Sequence, residues 1–166
     1  MPLTSILEPY SPQWPRAFEA EAAWMRPIFD VALIELHHIG STAVPELSAK
    51  PEIDILAIVR ATRLIDQWAE ALAARGYRRG GDLSAGHHFF KRDAGLVRTH
   101  KLHVCIDGHP MASQMLRFRN HLRTTPADRN RYEALKLRLE AENKLGIGEY
   151  LAGKAPFIRS VLDRAG

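Results

Sequence analysis

The feature that most narrows the fold is a pair of apolar runs separated by one punctuated loop. Val31 to Ile39 is rich in apolar and β-branched residues and reads as a strand. It runs into Gly40-Ser41-Thr42-Ala43-Val44-Pro45-Glu46-Leu47-Ser48-Ala49-Lys50-Pro51, and the next strand opens with Glu52-Ile53-Asp54. Pro51 lacks a backbone donor and suits the first position of a strand. Side chains two apart on a strand share a face, so Glu52 and Asp54 are expected to project together beside the Gly40-Ser41 turn. Paired carboxylates so placed suit a hard divalent cation such as Mg²⁺, which takes oxygen ligands and accompanies phosphate groups. Gly40 permits close backbone approach, while the Ser41 hydroxyl and nearby N–H groups can hold phosphate oxygens. The plain alternative is a solvent-facing acid next to an ordinary turn, and spacing alone does not separate the two.

The flanking sequence supplies the other layers. Ser11-Pro12 is a helix start, with Trp14, Phe18, Met25, Ile28 and Phe29 as its buried stripe. On the strand after Pro51, Ile53, Ile55, Ala57 and Val59 alternate with Glu52, Asp54, Leu56 and Ile58. Leu64, Ile65, Trp68 and Leu72 mark a second helix that stops before Gly76. His87–Arg92 and Thr99–Ile106 read as strands joined by a turn at Asp93-Ala94-Gly95. The last third is helical. Met111, Met115, Phe118 and Leu122 form one stripe, and Thr125-Pro126-Ala127-Asp128 resembles a helix N-terminus. Tyr132, Leu135 and Leu139 carry that helix to about Lys144, and Pro156 either starts or kinks a closing helix with Phe157, Ile158, Val161 and Leu162. Strands followed by helices predict an α+β or mixed α/β layered domain, and 166 residues suit a single one over 1–166.

The run His38-Ile39-Gly40-Ser41-Thr42-Ala43-Val44-Pro45, with Leu47, Ala49-Lys50-Pro51 and Ile53-Asp54-Ile55, resembles the signature of the GrpB family. The likeness continues through Phe89-Phe90, Leu102-His103-Val104, Leu116-Arg117-Phe118-Arg119, Tyr132, Leu135-Lys136, Tyr150, Lys154 and Phe157-Ile158. It implies a nucleotidyltransferase-like fold, a mixed β-sheet flanked by helices, in which Gly-Ser precedes an acidic pair on the next strand. Asp54 is the acid the family pattern matches, whereas Glu52 stands where GrpB sequences commonly carry an apolar residue. Glu46 stands where a glycine is usual, and Lys101 replaces a histidine. In the superfamily a later strand often adds a third carboxylate. Here that strand offers Lys101, His103 and Cys105 on its polar face.

The candidate catalytic residues are therefore Asp54, Glu52 and His103, with Asp54 and Glu52 as metal ligands for Mg²⁺. Gly40, Ser41, Lys50, His38 and Arg119 are the candidate substrate-binding residues. His103 and His38 could equally be hydrogen-bonded packing histidines, and Cys105, without a redox partner, reads as packing. Residues 113–144 hold eight Lys/Arg against four Asp/Glu, a basic stretch suited to anions or to a solvated helix face. Arg117 and Arg119 lie about 200° apart on a helix, so only Arg119 and Arg123 face together.

The resemblance implies transfer of a nucleotidyl group from a nucleoside triphosphate to a small-molecule acceptor. The alternative is a non-catalytic module binding a nucleotide, phosphate or CoA-related ligand, since copies of the domain occur fused to dephospho-CoA kinase. Nucleic acid is not expected, because the aromatics fall on core stripes. No apolar run reaches bilayer length and MPLTSILEPY is no secretory signal, so a cytoplasmic chain is expected.

Overall fold

The computed structural model describes residues 3 and 5–164. Five strands form one mixed sheet: β1 (Leu33–Ile39), β2 (Ile53–Val59), β3 (Arg78–Arg79), β4 (His87–Ala94) and β5 (Val97–Ile106), in the order β1-β2-β5-β4-β3. β2 and β5 pair in parallel at the centre, and every other pair is antiparallel. α1 (Gln13–Phe29) and α2 (Ile65–Ala73) cover one face. α3 (Pro110–Thr124), α4 (Pro126–Glu142) and α5 (Ile147–Arg164) form the helical last third.

The alternation expected for β2 is a central strand buried on both faces. Ile53, Ile55, Ala57 and Val59 join the α1 and α2 stripes in the main core, including Trp14, Phe18, Met25, Phe29, Trp68 and Leu72. Leu56 and Ile58 meet Ile39, Cys105 and Ala112 on the opposite face. A third cluster, Val44, Leu47, Leu122 and Tyr132, pins the loop after β1 to the C-terminal helices.

Several boundaries differ from the sequence reading. Asp30 adopts φ 48° and closes α1, and a 3-10 turn, Asp30–Ala32, takes the first residues of the expected strand and leaves Val31 exposed. The β4–β5 hairpin is longer than expected. Asp93 pairs with Arg98 and Ala94 with Val97, so only Gly95 and Leu96 turn, and the Asp93 carboxylate accepts from Arg78 and Arg98. α5 starts at Ile147, which puts Pro156 inside it. Glu46, at the position where a glycine is usual, has φ 67° and keeps the left-handed backbone, its carboxylate paired with Arg129 at 3.0 Å.

Candidate active site

The loop from Gly40 to Glu52 is fastened from behind, which fixes where β2 begins. His38 stacks on Phe18 with centroids 5.0 Å apart, and its Nε2–H donates to Thr42 Oγ1 at 2.9 Å. Thr42 in turn donates to the Glu52 carbonyl at 3.0 Å. Burial, then Arg123 and Arg119, hold His38 at about 4, so it is a neutral strut at neutral pH. α3 adds two arginines: Arg119 donates to the His38 carbonyl at 2.9 Å and Arg123 to the Ala43 carbonyl at 2.8 Å. His38 and Arg119 thus sit behind the loop and line neither cavity described below. From α4, Glu133 accepts from Ser48 N–H at 2.7 Å and Lys136 Nζ donates to the Ser48 carbonyl at 2.5 Å.

In front of the loop two cavities meet at Asp54. The first, about 60 Å³, is polar: Ser41, Lys50, Glu52, Asp54, Lys101, Lys136 and Lys154 line it with Tyr150. The second, about 300 Å³, is mostly apolar, walled by Ile39, Met111, Met115, Phe118 and Ile158. Gly40 and His103 belong to the apolar cavity, Glu52 and Lys50 to the polar one. Ser41, Asp54, Lys101 and Lys154 belong to both. The Met111, Met115 and Phe118 stripe expected in the core therefore walls a cavity.

Asp54 approaches the backbone closely. A Cβ added at Gly40, whose φ is 74°, would lie 2.2 Å from Asp54 Oδ2. Oδ1 is buried without a hydrogen-bond partner, its nearest cation being Lys101 Nζ at 4.0 Å. Burial raises the Asp54 pKa, only partly offset by Lys101. In the parallel β2–β5 ladder Asp54 is the register partner of Lys101, so an ammonium stands where a third carboxylate would. Lys101 Nζ contacts Glu52 Oε2 at 2.8 Å. Burial alone would lower its pKa, but the Asp54 and Glu52 carboxylates outweigh it and the net shift is upward.

Lys136 and Lys154, which the sequence marks only as part of the family likeness, complete the cleft. Each follows a tyrosine by four residues, Tyr132 and Tyr150, and so shares that residue's buried helix face. That spacing is the signal that could have found them. Burial, then the charge of Lys154, brings Lys136 to about 7, and burial, then the charge of Lys101, brings Lys154 to about 8. Lys50 lies over the Tyr150 ring at 4.3 Å, and burial lowers its pKa. Four lysine side chains thus face two carboxylates in a partly dry cleft and, when charged, give it the electrostatics of an anion site. On β5, His103 Nδ1 meets His87 Nε2 at 2.8 Å. Burial, then His87 and Lys101, holds His103 at about 3, so a neutral imidazole faces the apolar cavity.

The unpartnered Oδ1 and the glycine cradle fit a divalent ion at Asp54, whereas Glu52 is free for one only when Lys101 moves. β5 carries no acid and so supplies no third carboxylate.

Comparison with known proteins gives the frame. The GrpB protein family profile matches residues 4–164. The UPF0157 protein YqkA of Bacillus subtilis (strain 168) is 34% identical over 157 residues, covering 94% of this chain and 46% of its own length. A dephospho-CoA kinase of Mycolicibacterium paratuberculosis is 27% identical over 96% of this chain and 45% of its own. The chain thus spans less than half the length of these two relatives. The crystal structure of the conserved protein GrpB from Enterococcus faecalis superposes with a TM-score of 0.89 at 33% identity, covering 96% of both chains. The MgGTP-bound Cid1 poly(U) polymerase superposes with a TM-score of 0.52 at 15% identity, over 78% of this chain and 42% of its own, a likeness of fold alone. A mixed sheet flanked by helices, shared with a nucleotidyltransferase-like neighbour, and a full-length family match agree: the chain belongs to the GrpB protein family.

Proposed function

We propose that this chain transfers a nucleotidyl group from a nucleoside triphosphate to a small-molecule acceptor. The observation that carries the proposal is the position of Asp54. It is the one carboxylate common to a lysine-lined cleft and an apolar cavity, and one of its oxygens is buried without a partner. A buried unsatisfied acceptor costs stability, and such a cost persists where a ligand later meets the group.

The phosphates lie in the cleft among Lys50, Lys101, Lys136 and Lys154, with the Ser41 hydroxyl at their edge. The acceptor occupies the apolar cavity between α3 and α5, where His103 orients its hydroxyl or amine. At about 3, His103 is a hydrogen-bond partner and a weak base, which leaves proton acceptance to the carboxylate pair. The attacking atom bonds to the α-phosphorus, the bond to the bridging oxygen breaks, and pyrophosphate leaves toward the lysines. Asp54, joined by Glu52 when Lys101 turns to the phosphates, would hold Mg²⁺. That ion supplies charge neutralisation at phosphate oxygens when bound.

A second reading is a non-catalytic module for a nucleotide, phosphate or CoA-related ligand. The Lys101–Glu52 contact at 2.8 Å favours it, because it occupies half of the acidic pair. Thermal stability and pyrophosphate release separate the two. Wild type and Asp54→Asn are measured against nucleoside triphosphates, CoA and dephospho-CoA, with and without Mg²⁺. The transferase reading expects stabilisation that needs Mg²⁺ and disappears in Asp54→Asn, with about 2.7 kcal/mol at 100 times the dissociation constant. Stabilisation indifferent to Mg²⁺ and to Asp54→Asn supports the binding module, and no response from any of these ligands refutes the transferase and counts against a nucleotide or CoA as the module's ligand.

A further inference from the structure

A second group of metal-ligating side chains lies away from Asp54. His87 and Cys105 are register partners on β4 and β5, so their side chains leave the same face of the sheet side by side. His109 closes over them as the N-cap of α3. One ring nitrogen of each histidine and the Cys105 sulfur lie within 4.8 Å of one another. Ligands held about 2.0–2.3 Å from a tetrahedral zinc ion are separated by roughly 3.4–3.6 Å, so binding an ion draws the three side chains somewhat closer together. We propose that His87, Cys105 and His109 form a binding site for a borderline or soft divalent cation, with zinc the best fit to two imidazoles and a thiolate.

The hydrogen bonds around the three residues support this. A metal-bound histidine donates its other ring N–H to a neighbour, which fixes its orientation. His109 Nδ1 accepts from Met111 N–H at 3.1 Å, so its proton is on Nε2, which donates to Ser84 Oγ at 2.9 Å. The lone pair is therefore on the nitrogen opposite an anchored N–H, and a metal there replaces the cap bond. His87 directs Nε2 at His103 Nδ1, 2.8 Å away. With the metal on its other nitrogen, His87 donates that proton to His103. Each histidine thus has a partner for one ring nitrogen and a second nitrogen to offer a metal.

The set is also shielded. Cys105 and His87 are buried and only His109 is half-exposed, so an ion here is held by the strand pair and the start of α3. The sequence hides it, because the three ligands come from two strands and a cap rather than from a short paired motif. Through His87 the ion touches His103, which faces the apolar cavity, although the site does not depend on what that cavity binds.

The probes are Zn²⁺ and Co²⁺ alone, added to the metal-free full chain. One equivalent of Zn²⁺ is expected to bind and, at 100 times the dissociation constant, to raise Tm by about 5–10 °C. One equivalent of Co²⁺ is expected to give a thiolate-to-metal charge-transfer absorption. Cys105→Ser is expected to abolish that band, and Asp54→Asn to leave it unchanged. His109→Asn keeps an N-capping oxygen for α3 while removing a ligand, so it separates lost metal from lost fold; at least a tenfold weaker affinity is expected. The proposal is overturned if neither ion binds saturably, or if Cys105→Ser and His109→Asn, both folded, bind with wild-type affinity.

Discussion

Gly40→Ala tests whether the Asp54 carboxylate is as close to the loop as the geometry requires. Gly40 has φ 74° and ψ −175°, a region essentially restricted to glycine. Forcing alanine into it costs about 1–3 kcal/mol, a term that belongs to residue 40 alone. The second term belongs to the pair. The new Cβ would lie 2.2 Å from Asp54 Oδ2, 3.0 Å from Cγ and 3.1 Å from Cβ, so the carboxylate must swing away. Overpacking of this kind adds about 1–3 kcal/mol. In an Asp54→Ala background the oxygen and Cγ are gone, and only the 3.1 Å contact remains. The expected cost of Gly40→Ala is thus about 2–6 kcal/mol in wild type and about 1–3 kcal/mol in Asp54→Ala. The coupling between the two sites is about 1–3 kcal/mol. Urea unfolding of the four proteins measures it, and a Tm drop of at least about 4 °C accompanies the single Gly40→Ala change. Equal costs in both backgrounds would show that Gly40 and Asp54 do not abut, and a neutral Gly40→Ala would remove the cradle altogether.

Two further outcomes follow from the titrating groups. Asp54→Asn is expected to stabilise the fold by up to about 1–2 kcal/mol near pH 7, since an unpartnered buried carboxylate is removed. The folded pKa of Asp54 is raised above the unfolded one, so its penalty is full above the folded value and vanishes below about 3.9. The stability gap between variant and wild type must therefore close on acidification, which denaturation from pH 7 to 3 checks. For polyphosphate binding, the lysines at about 7 and about 8 lose charge as pH rises, so tripolyphosphate affinity should fall between pH 6 and 9. By the same linkage, binding at pH 7.5 takes up protons. Calorimetry in buffers of different ionisation enthalpy detects this, and Lys136→Gln and Lys154→Gln each reduce the uptake.

The layered fold was legible because its signals were local. The Gly40-Ser41 turn, the apolar run of β2 and the Thr125-Pro126 helix start each state their conformation within a few residues. Strand period put Glu52 and Asp54 on one face, and the Gly40-Ser41 turn was placed beside them by the loop that joins the two apolar runs. What the sequence hid depends on contacts between distant elements. Lys136 sits in a stretch whose alternating charges read as a solvated helix face, yet it is only 2% exposed. His38 sits beside the motif in sequence and Arg119 reaches it only in space, and both lie on the far side of the loop they hold. Nothing in a one-dimensional pattern distinguishes the front of a loop from its back.

Lys101 ties these observations to the chemistry. It faces Asp54 across the central parallel ladder and contacts Glu52, so the acidic pair already has a cation beside it. The cleft carries four ammonium groups to two carboxylates, and a bare divalent ion would enter against that excess of like charge. A bound polyphosphate would reverse the balance: by drawing Lys101 toward its oxygens and away from Glu52 it would free an acceptor for a metal. On the proposed function, metal and phosphates are therefore expected to enter as one complex. This expectation rests on the placement of a single lysine opposite a single aspartate, and it makes the lysines of α4 and α5 as much a part of the proposed site as the acids to which the sequence pattern draws attention.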